Sequence, residues 1–273
     1  MKKVIIPFSG GQFSKGALSF ANSLNSIEPI LLTGVFLPTV DYARFFFFPT
    51  AFSAPMFVPT IEDSEEDVVQ ENIDRFSRFC QKNGIEYRVH KDINDSSILQ
   101  LTEESRFADL MIIGSEKFYR DEASYGSYEY LKDALHETEC PIIVVPEEFT
   151  FPTHIVMAYD GSASSVFAIK QFALLFPKLC NRRAILIYAG PYKEHIPNQV
   201  LIEELAAIHF KDLTITKVWA EHKNEVSNWL YLNRNSIVVS GSFGRSELSE
   251  FFKRPFIMDQ IKEYQTPLFI AHH

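Results

Sequence analysis

The chain has 273 residues, 46% hydrophobic and 22% charged, which is normal for a globular protein of one large domain or two ordinary ones. Its formal net charge of −9 disfavours nucleic acid and anionic membranes as partners. The 3 cysteines form no CxxC pair, so they predict neither a disulfide framework nor a zinc site, and they favour a reducing cytoplasm. No apolar run approaches the ~20 residues of a membrane span.

Strands and helices alternate in the first half of the chain, from residue 4 to residue 145. Short apolar runs predict five strands, at Val4–Phe8, Ile30–Phe36, Ile85–Val89, Leu110–Ile113 and Ile142–Val145. Apolar stripes of helical period predict four helices, at Ser14–Leu24, Asp63–Asn83, Ser96–Arg106 and Tyr128–Thr138. This alternation is typical of a parallel sheet with helices on both faces.

A phenylalanine-rich insertion at residues 37–60 interrupts this alternation. It contains four consecutive phenylalanines, from Phe45 to Phe48. We expect it to pack as a loop over the sheet or between two domains. Anchoring at a membrane edge or on a partner is the alternative.

A linker with two prolines, from Pro146 to Pro152, precedes a second alternation of strands and helices. The second set of strands is predicted at residues 155–159, Arg183–Tyr188, Leu213–Val218, residues 237–239 and Leu268–Ala271. The second set of helices is predicted at Ser164–Phe176, His195–His209, Asn224–Leu232 and Glu247–Tyr264. Pro255 predicts a break or restart within the last of these helices.

Three segments of the first half recur in the same order in the second half. The matched pairs are residues 4–11 with 155–162, residues 108–115 with 235–242, and residues 140–145 with 266–271. The matches predict two copies of one domain, at residues 1–148 and 149–273. Each copy is expected to be an α/β domain, an open parallel five-stranded sheet with helices on both faces.

Two strand ends in the second copy carry residues suited to a nucleotide crevice. The strand that contains Ala158 ends in Asp160, Gly161 and Ser162, and the strand at 237–239 ends in a turn with Gly241, Gly244, Arg245 and Ser246. An acid at such a strand end suits a ribose or adenine edge, and a glycine turn lets backbone N–H groups approach phosphate. Asp-Gly-Ser is also favourable turn chemistry, so a purely structural role for Asp160 is the alternative.

Together these two motifs resemble those of the universal stress protein family, over nearly the whole chain and in a tandem two-domain form. The resemblance implies a Rossmann-like fold of the adenine nucleotide alpha hydrolase type and a role in the stress response. It also implies ATP binding, with Asp160 on the adenine side and Gly241 and Gly244 at the phosphates. The family motif ends in Gly-Ser or Gly-Thr nine residues after the second glycine, where this chain has Arg254-Pro255. Arg254 or Lys253 is expected to supply charge there instead, and loss of triphosphate binding is the alternative.

The first copy departs further from the family motif. Ser9 stands at the aspartate position and Lys117 at the second glycine, and Asp121 and Glu122 in the same loop would repel phosphate. Nucleotide is therefore expected in the second copy alone. Residues 9–14 also resemble the SGGxDS loop of ATP pyrophosphatases, with Phe13 in place of the aspartate, which makes such an enzyme a further alternative.

The sequence shows no catalytic or metal-binding constellation. Its 8 histidines lack HxxxH or HxH spacing, and the serines after Asp160 have no evident histidine and acid partners. We therefore predict a protein that is not an enzyme and holds no metal, with a nucleotide-free protein-interaction module as the alternative to ATP binding. Family members commonly dimerise through the last strand, so the resemblance implies an internal pseudo-dimer joined by Ile142–Val145 and Leu268–Ala271. A homodimer of the whole chain and a protein partner stay open.

Overall fold

In the computed structural model of the chain, the residues that the structure describes include ten strands, which form one sheet. The structure describes residues 1–9, 13–37, 63–91, 97–115, 137–190, 195–219, 229–230, 232–241 and 266–271. The strands are β1 (Lys2–Ser9), β2 (Ile30–Leu37), β3 (Glu86–Lys91), β4 (Leu110–Gly114), β5 (Ile142–Val145), β6 (His154–Tyr159), β7 (Arg183–Gly190), β8 (Asp212–Trp219), β9 (Ser236–Gly241) and β10 (Leu268–Ala271). The described helices are α1 (Lys15–Ile27), α2 (Asp63–Asn83), α3 (Ser97–Arg106), α4 (Ala163–Leu175) and α5 (Gln199–His209).

The order of the strands confirms the predicted fold class. Across the sheet they run β3-β2-β1-β4-β5-β10-β9-β6-β7-β8, so the second half repeats the order of the first. Within each half all neighbouring strands are parallel. The two five-stranded halves continue into each other, because β5 and β10 pair antiparallel with Ile143 opposite Phe269. This is the strand contact that the family resemblance implies between the two copies.

Two apolar layers cover the sheet, and each draws residues from both halves. One layer holds the buried sides of α1, α2, α4 and α5, and the other includes Ile5, Val144 and Val238 on the opposite face. The linker contributes to the first layer, since the ring of Phe20 in α1 lies 5.6 Å from Phe149 and 5.2 Å from Phe151. A core shared in this way ties the folding of one half to that of the other.

The predicted first residue of one helix was wrong. We expected a helix from His195, but α5 begins at Gln199 because Asn198 adopts a left-handed conformation with φ 49° directly before it. Pro197, in the turn before it, has no N–H to offer a helix. The predicted helices at Tyr128–Thr138, Asn224–Leu232 and Glu247–Tyr264 lie wholly or largely outside the described residues, as do the break at Pro255 and the insertion at 37–60.

Candidate functional site

The sheet of the second half has its crevice where β6 lies between β7 and β9. The strand order reverses at this point, because the next strand along the chain, β7, pairs with one side of β6, and the later strand β9 pairs with its other side. In open α/β sheets, ligands bind at such a switch point, outside the carboxyl ends of the strands. Asp160 directly follows β6 and Gly241 ends β9, so the fold brings these two sequence-predicted residues to one edge.

Asp160, Gly161 and Ser162 form the turn that leads from β6 into α4. The carboxylate oxygen Oδ1 of Asp160 accepts a hydrogen bond of 2.9 Å from the backbone N–H of Ser162. Gly161 has φ 81°, a conformation that favours glycine. Ser162 caps α4, because its hydroxyl accepts a bond of 3.1 Å from the N–H of Ser165. Asp160 therefore has the structural role left open above, and no described residue bonds its second oxygen, Oδ2.

Gly241 lies against the first turn of α4. A Cβ built at this position would sit 2.5 Å from the carbonyl carbon of Ser164 and 2.7 Å from the N–H nitrogen of Ser165. Since these are backbone atoms, no side-chain rotation relieves the contact, and glycine is required for the strand to approach the helix. In the first half, Gly114 at the end of β4 packs in the same way against Ser14, the residue before α1.

Tyr159 and Pro197 cover the inner side of this crevice. Tyr159 is 2% exposed, and its hydroxyl donates a hydrogen bond of 2.8 Å to the carbonyl oxygen of Pro197. Burial, with a smaller effect of the Asp160 charge, raises the pKa of the Tyr159 phenol, so the phenol stays a donor at neutral pH. The ring of Pro197 lies so near Gly161 that a Cβ there would be 2.7 Å from the Pro197 Cβ.

Aromatic rings pack together at the ends of β1 and β2 in the first half. Phe8 and Phe36, opposite each other at the ends of β1 and β2, are stacked with their centroids 4.9 Å apart. Phe13 stacks on Phe8 at 5.2 Å, and Phe76 of α2 meets the Phe8 ring edge-on at 5.7 Å. The guanidinium of Arg75 lies 4.2 Å above the Phe13 ring. Phe13, which we compared with the aspartate of a pyrophosphate loop, is therefore part of this aromatic stack.

A carboxylate of the chain itself occupies the N-terminus of α1. Glu147, in the linker after β5, accepts hydrogen bonds of 2.7 Å from the N–H of Lys15 and 3.1 Å from the hydroxyl of Ser14. The Ser14 hydroxyl also accepts a bond of 3.1 Å from Ala17 N–H and so caps the helix. A negative charge is favourable at this end of a helix, where a ligand phosphate would otherwise be attracted.

The structure describes part of the predicted nucleotide site. Ala158 is buried within β6, and Asp160, Gly161, Ser162 and Gly241 meet at the crevice. The remaining residues of the prediction lie outside the described residues, namely Gly244, Arg245, Ser246 and Arg254, together with Lys117, Asp121 and Glu122 of the first copy.

Sequence reasoning missed two features, the pairing of aromatic residues at the ends of neighbouring strands and the contact of Glu147 with the N-terminus of α1. One signal was available for the pairs, because the repeat aligns Phe8 with Tyr159 at the ends of β1 and β6. The pairing of Phe8 with Phe36 and of Tyr159 with Tyr188 then follows from the register of the parallel strands. Glu147 had no such signal, since a linker acid does not indicate which helix it reaches.

The described residues show little further reactive chemistry. No group of three or more histidine, cysteine, aspartate or glutamate side chains within them is arranged to hold a metal ion. Cys80, Cys140 and Cys180 are buried, and burial raises the pKa of each thiol to about 12. None of the described helices combines the length and the apolar character needed to cross a membrane.

Comparison with solved structures identifies the fold. A universal stress protein from Archaeoglobus fulgidus DSM 4304 superposes with a TM-score of 0.70 at 12% identity, over 100% of this chain and 96% of that one. A protein of unknown function from Pseudomonas aeruginosa PAO1 has a TM-score of 0.54 at 10% identity, over 100% and 92% of the two chains. The cytoplasmic domain of a prokaryotic cation chloride cotransporter has a TM-score of 0.54 at 8% identity, over 99% and 95%.

No family model and no curated protein sequence matches the chain. The structural likeness therefore rests on fold and not on sequence. The chain has the tandem α/β fold of the universal stress protein from Archaeoglobus fulgidus, as the sequence motifs predicted.

Proposed function

We propose that the chain is a universal stress protein-like protein of the cytoplasmic stress response that binds ATP or a related nucleotide in its second half. The observation that supports this most is the meeting of Asp160 and Gly241 at the switch point beside the N-terminus of α4. In this proposal, the Oδ2 atom of Asp160 accepts a hydrogen bond from the ribose or adenine. The phosphates bind to backbone N–H groups near Gly241 and to the positive charge of Arg254.

The first half is proposed to serve as a scaffold that binds no nucleotide. In this half Phe13 stacks on Phe8, and Phe8 and Phe36 take the places that Tyr159 and Tyr188 have in the second half. The N-terminus of α1 already has the Glu147 carboxylate, which would repel a phosphate. In this proposal the two halves correspond to the two subunits of a dimer, joined through β5 and β10.

Calorimetric titration with ATP tests the assignment of the site to the second half. Asp160→Ala is expected to weaken binding by about 1–3 kcal/mol, because a buried donor of the ligand loses its acceptor. Ser9→Ala is the matched control, since the internal repeat aligns Ser9, the last residue of β1, with Asp160, and it is expected to leave binding unchanged. Equal losses from both substitutions would contradict the assignment.

A nucleotide-free interaction module is the second candidate function. It is favoured by the closeness of Pro197 to Gly161 and by the hydrogen bond from Tyr159 to Pro197, which occupy space beside Asp160. Mass spectrometry of small molecules released from the native protein separates the two candidates. A bound adenine nucleotide supports the first, and its absence together with no response to added ATP supports the second.

A further inference from the structure

A short strap of chain before α5, residues 196–198, lies against the turn between β6 and α4. Pro197 packs on Gly161 in this turn, since a Cβ added to the glycine would lie 2.7 Å from the Pro197 Cβ and 2.9 Å from its Cγ. The Tyr159 hydroxyl donates a hydrogen bond of 2.8 Å to the Pro197 carbonyl oxygen, and Ile196 packs against the first apolar layer. Within the described part of the chain, no other hydrogen bond joins the strap to the sheet.

The strap ends in Asn198, whose backbone is left-handed, with φ 49° and ψ 38°. Apart from two glycines, no other residue among those described has a positive φ. The Asn198 side chain makes no capping hydrogen bond to α5. A left-handed residue other than glycine is disfavoured and persists where its surroundings fix it. In the strap, the contacts of Pro197 with Tyr159 and Gly161 fix it.

The same residues suit a second conformation, in which α5 begins earlier. Proline is favourable in the first turn of a helix, where its missing N–H needs no partner, and Ile196 before it stays extended. If Asn198 became right-handed, α5 would therefore begin at Pro197. The Pro197 carbonyl oxygen would then accept a hydrogen bond from the Leu201 N–H, four residues on, in place of the Tyr159 hydroxyl. This one acceptor thus has two competing donors, and each belongs to a different conformation.

We propose that the strap is a lid on the crevice of the second half, which opens when Asn198 becomes right-handed and Tyr159 releases Pro197. In the closed conformation, which the structure describes, Pro197 takes space beside Asp160 that a bound ligand needs. Opening transfers Pro197 to the first turn of α5 and clears that space. The control of ligand access rests on the proposed function, whereas the conformational change itself requires no nucleotide.

The first half lacks the hydrogen bond that closes the strap. Phe8 stands at the place of Tyr159, at the end of the equivalent strand, and it has no hydroxyl to donate. The lid is therefore confined to the half that is proposed to bind nucleotide. Phe8 also shows that a phenylalanine fits at this place in the sheet, so we expect Tyr159→Phe to fold.

Backbone carbon chemical shifts of Pro197 and Leu201, measured in the isotope-labelled chain without nucleotide, test the proposal. Tyr159→Phe removes one neutral hydrogen bond and is expected to raise the ratio of open to closed chains about fivefold. Asn198→Ala disfavours the left-handed conformation and is expected to raise this ratio about fivefold or more. In both variants the shifts are expected to move toward helical values.

Two variants serve as matched controls. Asn198→Gly accepts the left-handed conformation without steric cost and is unfavourable in a helix, so it is expected to stay closed. Tyr87→Phe removes a tyrosine hydroxyl of the first half, which accepts a bond of 3.0 Å from Gln81, and it is expected to resemble the wild type. Unchanged shifts in both Tyr159→Phe and Asn198→Ala overturn the proposal, as does Asn198→Gly opening as far as Asn198→Ala.

Calorimetric titration of the same variants with ATP separates the lid from the ligand. While the closed conformation predominates, the apparent affinity rises with the open fraction, so Tyr159→Phe and Asn198→Ala are expected to bind ATP about fivefold more tightly. An unchanged affinity in variants whose carbon shifts have moved overturns the control of access by the strap. Shifts that move as expected in a chain that binds no ATP refute the proposed ligand, and they support the strap as a conformational switch.

Discussion

Glu147→Ala is expected to destabilise the whole chain by about 1–2 kcal/mol, although Glu147 lies in a linker. The substitution removes a hydrogen bond of 2.7 Å from Lys15 N–H and one of 3.1 Å from the Ser14 hydroxyl. A bond to a charged acceptor contributes about 1.5–3 kcal/mol when buried, and partial exposure reduces this. The favourable place of a carboxylate at a helix N-terminus adds about 0.3–1 kcal/mol. Ser14 still caps α1 through Ala17 N–H, which keeps the loss within this range.

Urea unfolding followed by circular dichroism measures this loss. Glu148→Ala is the matched control, because it removes the same charge from the neighbouring, exposed position of the linker. Glu147→Gln, which keeps the shape but not the charge, is expected to fall between the wild type and Glu147→Ala. If Glu147→Ala and Glu148→Ala have the same midpoint, the contact with α1 does not stabilise the fold and our reasoning about it is wrong.

Three further predictions follow from the fold and the sequence. Burial raises the pKa of the thiols of Cys80, Cys140 and Cys180 to about 12. We therefore expect these thiols to react with a thiol reagent at pH 8 only after the chain unfolds. Reaction of the native chain would contradict their burial. Because one sheet and its cores span both halves, thermal unfolding followed by calorimetry is expected to show one transition, and two separate transitions would show independent halves. Replacing Arg254-Pro255 by Gly-Ser is expected to tighten ATP binding and reduce its salt dependence, whereas tight, salt-insensitive binding by the wild type would contradict the substitute role of Arg254.

Local patterns in the sequence predicted much of the fold. β-branched runs such as Ile142–Val145 and the amphipathic period of residues 15–27 are short-range signals, and the internal repeat fixed their order. The start of α5 was missed because periodicity continues through His195, whereas the turn at Pro197 and Asn198 delays the helix. Such boundaries depend on single residues rather than on the pattern.

The candidate site could be predicted only in part, because some of its contacts join distant segments. Asp160 and Gly241 were found, since each directly follows a strand and strand ends meet at one edge of a parallel sheet. The contact between Ser14 and Glu147 joins residues 133 positions apart, and no spacing rule connects them. The stack that Phe13 forms with Phe8 likewise depends on how the segment after β1 folds back.

Native mass spectrometry of the intact chain with ATP tests the central claim most directly. We propose that one crevice, in the second half, binds nucleotide, while in the first half Phe13 stacks on Phe8 and the Glu147 carboxylate occupies the N-terminus of α1. The wild type and Ser9→Ala are therefore expected to add the mass of one ATP per chain, and Asp160→Ala is expected to lose this adduct at the same concentration. Two adducts per chain, one adduct that persists in Asp160→Ala, or none on the wild type would contradict the account.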